Sequence, residues 1–260
     1  MVEKMKLKAK QMKPSNFEAR NGANGGRVGF TLIELLVVIS IIGVLASLVV
    51  GISASASTKK KISATQGKLS ELEVFIENYK ASVGGYPPDS RFANGQINTV
   101  TNQLFYELTG TVYQGGIYTS NQDGQGINRQ VCRSFFGVDG IQNTAKESSK
   151  AKSFAEFGQG DYAQITANGE VPVNLIVAPV RWQATPVVGV DSLGRNLEDY
   201  RPIKSQNPAL RLLNPFQYRS SGRDRFNQTS FDLWVDIPIR GKIYRINNWS
   251  QAPKVISRAD

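Results

Sequence analysis

The feature that most constrains this chain is an apolar run at residues 30–52, in which Glu34 is the only charged side chain. At about 1.5 Å of helix rise per residue, a run of this length is typical of a segment that crosses a hydrocarbon core of about 30 Å. A carboxylate inside such a segment is costly and needs a partner or a function. The sequence therefore predicts a membrane-spanning helix whose one acidic side chain has a specific role.

A basic segment precedes the run. Residues 1–29 carry seven Lys or Arg against two Glu, a net charge of +5 that is half of the formal +10 of the whole chain. The segment lacks hydrophobic periodicity and is predicted to be a basic leader, with Met5 and Met12 as alternative start residues. Basic residues on this side of an apolar span favour a cytoplasmic N-terminus and a head across the membrane.

The helix is predicted to continue beyond the run. Residues 53–82 are expected to form an amphipathic half, because apolar side chains recur at the spacing of one helix face. These are Ile62, Leu69, Leu72, Phe75, Ile76 and Tyr79. Gly84 and Gly85, followed by Tyr86-Pro87-Pro88, are predicted to end the helix.

Residues 83–260 are predicted to form a globular head rich in Gly, Asn, Gln, Ser and aromatic residues. Its clearest strands are 231–237 and 241–247, joined by a hairpin loop at 238–240. The long stretch 89–213 is expected to be an insertion, loop-rich over 93–130 and 137–170, with a short helical piece at 101–108. Prolines within 171–182 argue against a central strand there.

The composition excludes several kinds of site. The chain contains no histidine, which excludes Ser-His-Asp triads, Cys-His dyads and histidine metal sites. Cys132 is the only cysteine, so it cannot form a disulfide within the chain, and it is expected to lie in the core. Nothing in the sequence indicates an enzyme.

The role of Glu34 follows from the start of the run. If the chain is cut after Gly29, Phe30 gains a free α-amine about one helical turn before Glu34. The amine of one copy can then pair with the carboxylate of another as their apolar helices stack. A small residue before the cut suits a protease that approaches the backbone closely.

The segment Gly-Phe-Thr-Leu-Ile-Glu-Leu-Leu-Val-Val-Ile at 29–39 resembles the cleavage and methylation motif of type IV pilins and type II secretion pseudopilins. The resemblance implies that a prepilin peptidase cuts between Gly29 and Phe30 and N-methylates Phe30, with Glu34 as the assembly carboxylate. Val28 separates Arg27 from the cut site, whereas the basic residue often abuts the glycine in this family.

The resemblance also implies an architecture and partners. The expected fold is α+β and pilin-like, with a long transmembrane and amphipathic helix packed on a C-terminal antiparallel sheet. The expected location is the bacterial inner membrane, single-pass, with a periplasmic head, followed by a periplasmic or surface filament. The implied partners are further copies, other pilins or pseudopilins, prepilin peptidase, an inner-membrane assembly platform and membrane lipid.

A second resemblance lies in the head. Residues 214–222 and 231–234, with Gly85-Tyr86-Pro87, are similar to the major pseudopilin of type II secretion, in which a following loop binds calcium. Here that acidic loop is missing. Asp232 and Asp236, with Asp224 nearby, are the candidate ligands for a hard cation, although ordinary strand and turn acids are the more frequent explanation of such a pattern.

Three functions remain open: a type II secretion pseudopilin, a type IV pilin for adhesion, motility or DNA uptake, and a periplasmic binding or enzymatic domain on a pilin-type anchor. A group of arginines and aromatic residues is also compatible with nucleic-acid binding. It consists of Arg219, Arg223, Arg225 and Arg240 with Tyr218, Phe226 and Trp234. Such clusters more often face solvent or bridge subunits, so nucleic acid is not the expected partner.

Overall fold

The chain divides into two units, Met1–Val50 and Gly51–Asp260. A computed structural model describes the backbone of residues 29–146, 149, 151–166 and 171–257, and the side chains of these residues except 48–54. The predicted leader therefore lies outside the described residues, apart from Gly29.

The long helix predicted from the sequence is present as α1, which spans Leu32–Val83. It ends at Gly84, whose left-handed φ of 91° suits glycine and whose N–H donates to the Lys80 carbonyl at 2.8 Å. In the second unit, four apolar side chains of the predicted stripe are buried, namely Leu69, Leu72, Ile76 and Tyr79. Ile62 and Phe75 are partly buried against the same core.

The buried stripe of α1 packs on an antiparallel sheet near the C-terminus, as predicted. The strands are β7 (Gln217–Arg219), β8 (Asp232–Ile239), β9 (Lys242–Asn247) and β10 (Lys254–Val255), in the order β10-β9-β8-β7. Leu233, Val235 and Ile237 of β8 belong to the same core cluster as the helix stripe. The fold of this unit is therefore α+β.

The hairpin between β8 and β9 is tighter than predicted. Ile239 pairs with Lys242, so the link is only Arg240–Gly241 rather than 238–240. Both linking residues have positive φ, 52° and 74°, as a two-residue hairpin turn requires. Pro238 lies inside β8, at a position that β7 does not reach, because β7 pairs with β8 only as far as Trp234. The lost N–H of proline therefore leaves no gap between β7 and β8.

The region predicted as a loop-rich insertion contains a second sheet of four short strands, in the order β3-β2-β1-β4. Its strands are β1 (Thr111–Gln114), β2 (Ile117–Ser120), β3 (Gly126–Asn128) and β4 (Thr144–Lys146). The loop prediction was wrong here because runs of three or four residues are too short to show alternation. β4 pairs with β1 in parallel, across a long connection.

The remaining elements are short. They are α2 (Leu104–Thr109), α3 (Arg129–Val131), a π-helical turn (Cys132–Phe136), β5 (Tyr162–Ile165), β6 (Val173–Ile176), a 3₁₀ turn (Leu197–Tyr200) and α4 (Pro208–Arg211). α2 lies within the predicted helical piece at 101–108 and is buried throughout. Cys132 is fully buried in the core as expected, and burial raises the pKa of its thiol to about 11.

Candidate functional site

The first turn of α1 is closed by a reciprocal cap. The backbone N–H and the hydroxyl of Thr31 both donate to Oε2 of Glu34 at 2.8 Å, and the Glu34 N–H donates to Thr31 Oγ1 at 3.3 Å. The Thr31 carbonyl accepts the first helical hydrogen bond, from Leu35 at 3.2 Å. This arrangement is a capping box, with Thr31 at the N-cap and Glu34 three residues later. Within the described residues, Oε1 of Glu34 has no hydrogen-bond partner.

The predicted cut site lies immediately before this cap and is open. A Cβ placed on Gly29 would meet no atom within 4 Å, and the side chain of Phe30 is 81% exposed. The fold of the described residues therefore does not require glycine at position 29. Any requirement for a small residue at position 29 therefore comes from a molecule that approaches this peptide bond from outside.

The helix that follows the cap is apolar on every side. From Leu32 to Ser47 every described side chain is exposed, including eleven large apolar ones. Ser40 and Ser47 turn their hydroxyls back onto the Leu36 and Val44 carbonyls, at 2.8 and 2.7 Å. The polar groups of this stretch are thus satisfied internally, and its apolar surface is left uncovered. A helix of this pattern is suited to lipid or to neighbouring helices.

The prediction of a membrane span over 30–52 reaches residues 48–52, whose side chains lie outside the described ones. Among the residues that the structure does describe, no helix is long and apolar enough to cross a membrane.

The first part of α1 corresponds to a known sequence signature. Residues 29–50 match the prokaryotic N-terminal methylation motif. The match contains Gly29, Phe30 and Glu34, and it supports a type IV pilin-like precursor that prepilin peptidase processes. No curated protein and no solved structure matches the chain.

Three segments of the head, 85–87, 214–222 and 231–234, come together in the second unit. The Tyr218 hydroxyl donates to the Pro87 carbonyl at 2.9 Å. The ring of Phe231 lies 5.2 Å from that of Tyr86 and 5.8 Å from that of Tyr218, measured between centroids. Residues far apart in sequence thus form one aromatic cluster of three rings just after the C-terminal end of α1.

Asp232, one of the two candidate metal ligands, is fully buried and surrounded by donors. Its Oδ2 accepts from Arg219 Nε at 3.0 Å and from the Phe226 N–H at 2.9 Å, and its Oδ1 accepts from the Asn227 N–H at 2.9 Å. Arg219 also pairs with Asp224, the third acid considered, at 2.8 Å. The guanidinium therefore holds the loop between β7 and β8 against the buried carboxylate.

Asp236, the other candidate ligand, is also buried. Arg245 on the neighbouring strand donates to both of its oxygens, at 2.8 and 2.7 Å. The structure thus places Asp232 and Asp236 against separate arginines and does not bring their carboxylates together. In the described part of the chain, no group of three or more Asp, Glu or Cys side chains is placed to hold a metal ion.

Two of the four arginines considered for nucleic-acid binding make hydrogen bonds within the head. Arg219 is held by Asp224 and Asp232. Arg225 donates to the backbone carbonyls of Ser220, Gln228 and Ser230, which closes the same loop. These two guanidinium groups stabilise the head, and they do not form a free basic surface.

Two polar features were missed from the sequence. The capping box was readable, because Thr-x-x-Glu at the start of an apolar run is its signature. The other feature is Glu107 on α2, which is fully buried and accepts from the Tyr79 hydroxyl and the Gln142 and Asn143 N–H groups, at 2.7–2.8 Å. Burial raises the pKa of Glu107. No local pattern signals this network, since its members are far apart in sequence.

Proposed function

We propose that this protein is a processed, membrane-anchored subunit of a pilus-like filament, and that it is not an enzyme. The observation that carries the proposal is the methylation motif at residues 29–50, which opens a helix whose apolar side chains over residues 32–47 are exposed on every side. Such a surface needs lipid or other subunits around it. A filament subunit has lipid around this helix before assembly and neighbouring helices afterwards.

Processing creates the group that Glu34 needs. Hydrolysis of the peptide bond after Gly29 leaves Phe30 with a free α-amine, which is then methylated and still carries a positive charge. Oε2 of Glu34 is occupied by Thr31, whereas Oε1 is unpaired among the described residues. That oxygen accepts the amine of a neighbouring copy, and the ion pair sets the axial position of one helix against the next.

The apolar segment at 30–52 serves as the anchor in the inner membrane, with the head in the periplasm. The basic leader keeps the cut site on the cytoplasmic side. In the assembled filament the same segments form the central bundle, and they exchange lipid contacts for helix contacts.

The finer proposal is a pseudopilin of a type II secretion system. It is supported by the head segments that resemble the major pseudopilin, which pack together through Tyr86, Tyr218 and Phe231. A type IV pilin is the second candidate, since the matched motif is common to both groups. Deletion of the gene decides between them: loss of an extracellular protein from the culture medium supports the pseudopilin, and loss of surface pili with normal secretion supports the pilin.

The test of processing is the N-terminus of the mature protein. The full chain, expressed with a prepilin peptidase, is expected to begin at N-methylated Phe30 by mass spectrometry. Gly29→Leu should block the cut without changing the amount of membrane-bound precursor, because a Cβ there meets no atom of the described protein. A mature protein that keeps its leader, or starts after the apolar run, would contradict the proposal.

The test of assembly is Glu34→Gln, which keeps the capping box but removes the charge, since Gln also serves at this position. We expect normal cleavage, normal methylation and a filament yield reduced at least about tenfold, because the Phe30 amine of a neighbouring copy loses its charged partner. Normal filaments in this variant would exclude the ion pair as the assembly contact.

A further inference from the structure

A polar cleft of about 410 Å³ lies in the second unit, between one face of α1 and the turn that follows β9. The helix side is formed by Gln66, Ser70 and Glu73, which share a face because they are four and three residues apart. The other side is formed by Trp249 and Gln251. Leu69 and Ile246 of the core also line the cleft, and the filament motif does not include it.

Four polar side chains that line the cleft are available to a ligand. Within the described residues, the side chains of Gln66, Ser70, Glu73 and Gln251 have no hydrogen-bond or ion-pair partner. The Glu73 carboxylate is half-buried, and burial together with the nearby Glu77 raises its pKa. Two amides, a hydroxyl and a carboxylate thus offer both donors and acceptors to a ligand.

The indole of Trp249 is fixed in place at the wall of the cleft. It stacks on Phe226 with ring centroids 4.3 Å apart and an interplanar angle of 10°, and Trp234 contacts it edge-on at 5.8 Å. The backbone N–H of Trp249 donates to Asn247 Oδ1 at 3.1 Å, which holds the turn. Asn248 ties the same turn to β8 by accepting from the Leu233 N–H at 3.0 Å. A wall held in this way is preformed, which favours binding.

The chemistry of the lining selects a class of ligand. The described residues that line the cleft include no Lys or Arg, so nothing there neutralises an anion. One carboxylate is too few for a hard cation, which takes six or more oxygen ligands. Amide and hydroxyl groups beside a flat indole fit a molecule with several hydroxyls and an apolar C–H face.

We propose that this cleft binds a neutral saccharide. One C–H face of a sugar ring packs against the indole of Trp249. Its hydroxyl groups donate to the Glu73 carboxylate and exchange hydrogen bonds with the amides of Gln66 and Gln251. The site is separate from the processing motif, so it adds a binding activity to a filament subunit and does not depend on assembly.

The test is a titration of the full chain, purified in a zwitterionic detergent that contains no sugar. Cellobiose, maltose and diacetylchitobiose are each added while tryptophan fluorescence and heat are recorded. We expect at least one disaccharide to bind saturably. Trp249→Ala should abolish the binding, and Glu73→Gln and Gln251→Ala should each weaken it about fivefold or more, which corresponds to about 1 kcal/mol.

One control variant and two alternative variants test whether binding depends on this cleft. Trp182→Phe changes a buried tryptophan in a separate cluster and should leave the affinity unchanged. Glu73→Gln and Gln251→Ala alter partly or fully exposed side chains, so they remain informative if Trp249→Ala fails to fold. Absence of saturable binding to all three sugars would overturn the proposal, as would equal affinity in the Glu73 and Gln251 variants. Self-association that Glu73→Gln removes, without sugar binding, would instead assign the cleft to a second copy.

Discussion

The two parts of α1 share a backbone conformation and differ in what surrounds their apolar side chains. Between Leu32 and Ser47 every described side chain is exposed. In the second unit, Leu72, Ile76 and Tyr79 are fully buried on one face. The first pattern belongs to a helix that needs lipid or other subunits, and the second to a helix that has its own sheet. Helix geometry alone therefore says nothing about where the stabilising contacts are.

This difference separates two kinds of constraint on one helix. In the second unit, an apolar side chain contributes to the unfolding free energy of its own chain. In the first unit, the described side chains have no such core, so under the proposed function they contribute to processing and assembly. Substitutions matched in chemistry but placed in the two parts should therefore have effects of different kinds.

The largest expected effect comes from a matched pair of leucines. Leu72→Ala removes a fully buried side chain and should lower the unfolding free energy by about 2–5 kcal/mol. Leu36→Ala changes an exposed one and should alter it by about 0.5 kcal/mol or less. Urea unfolding of the full chain in detergent, followed by tryptophan fluorescence, measures both, because all three tryptophans lie in the second unit.

Filament yield should rank the same two leucines in the opposite way. Leu36→Ala is expected to reduce assembly, while Leu72→Ala at a temperature where the head remains folded should assemble normally. Equal losses of unfolding free energy in the two variants would contradict the proposed difference between the two parts of α1. They would show that the first part of the helix also packs on a core of its own chain.

A smaller effect is expected from substitution of the buried carboxylate of Glu107. Glu107→Gln leaves the Gln142 N–H facing an amide NH₂ in place of an oxygen, and should cost about 1–3 kcal/mol near pH 5. Because burial raises the pKa of Glu107 above its usual 4.5, its contribution is fully present below that value. The contribution is lost as the pH rises through the higher pKa of the folded state. The difference in unfolding free energy between wild type and variant should therefore narrow from pH 5 upwards.

Urea unfolding at a series of pH values measures this gap. Glu34→Gln is the matched control: its carboxylate is exposed at the start of α1, so this variant should not reproduce the difference in unfolding free energy that narrows from pH 5 upwards. A gap for Glu107→Gln that widens with rising pH would show that the three donors around the carboxylate outweigh its burial.

The sequence was most informative where the structural signal is local. The long helix, its buried stripe, its end at Gly84 and the pair of C-terminal strands all follow from spacing within a few residues. The sheet formed by β1 to β4 was missed because its strands are three or four residues long. Its parallel pairing of Thr111 with Thr144 joins residues that no short window contains.

The residues of the candidate sites also differ in how far they could be predicted from local sequence. Gly29, Phe30 and Glu34 are contiguous enough to form a motif, and the comparison with known families found the same segment. The cleft beside Trp249 and the buried Glu107 depend on side chains brought together from distant segments. Asp232 and Asp236 are close in sequence, yet each is oriented by an arginine on a different strand.

The smallest expected effect is at the cap itself, and it sharpens the role of Glu34. Thr31→Ala removes the hydroxyl that accepts from the Glu34 N–H and donates to Oε2. The cost should be about 1 kcal/mol, confined to the first turn, and measurable as faster hydrogen exchange of its amides. Thr31→Ser keeps the hydroxyl and should exchange like the wild type. Thr31→Ala keeps the charge without the full cap, and Glu34→Gln keeps the cap without the charge. If filaments form in the first variant and fail in the second, the carboxylate acts through its charge on a neighbouring subunit; the reverse result would mean that it acts only by capping its own helix.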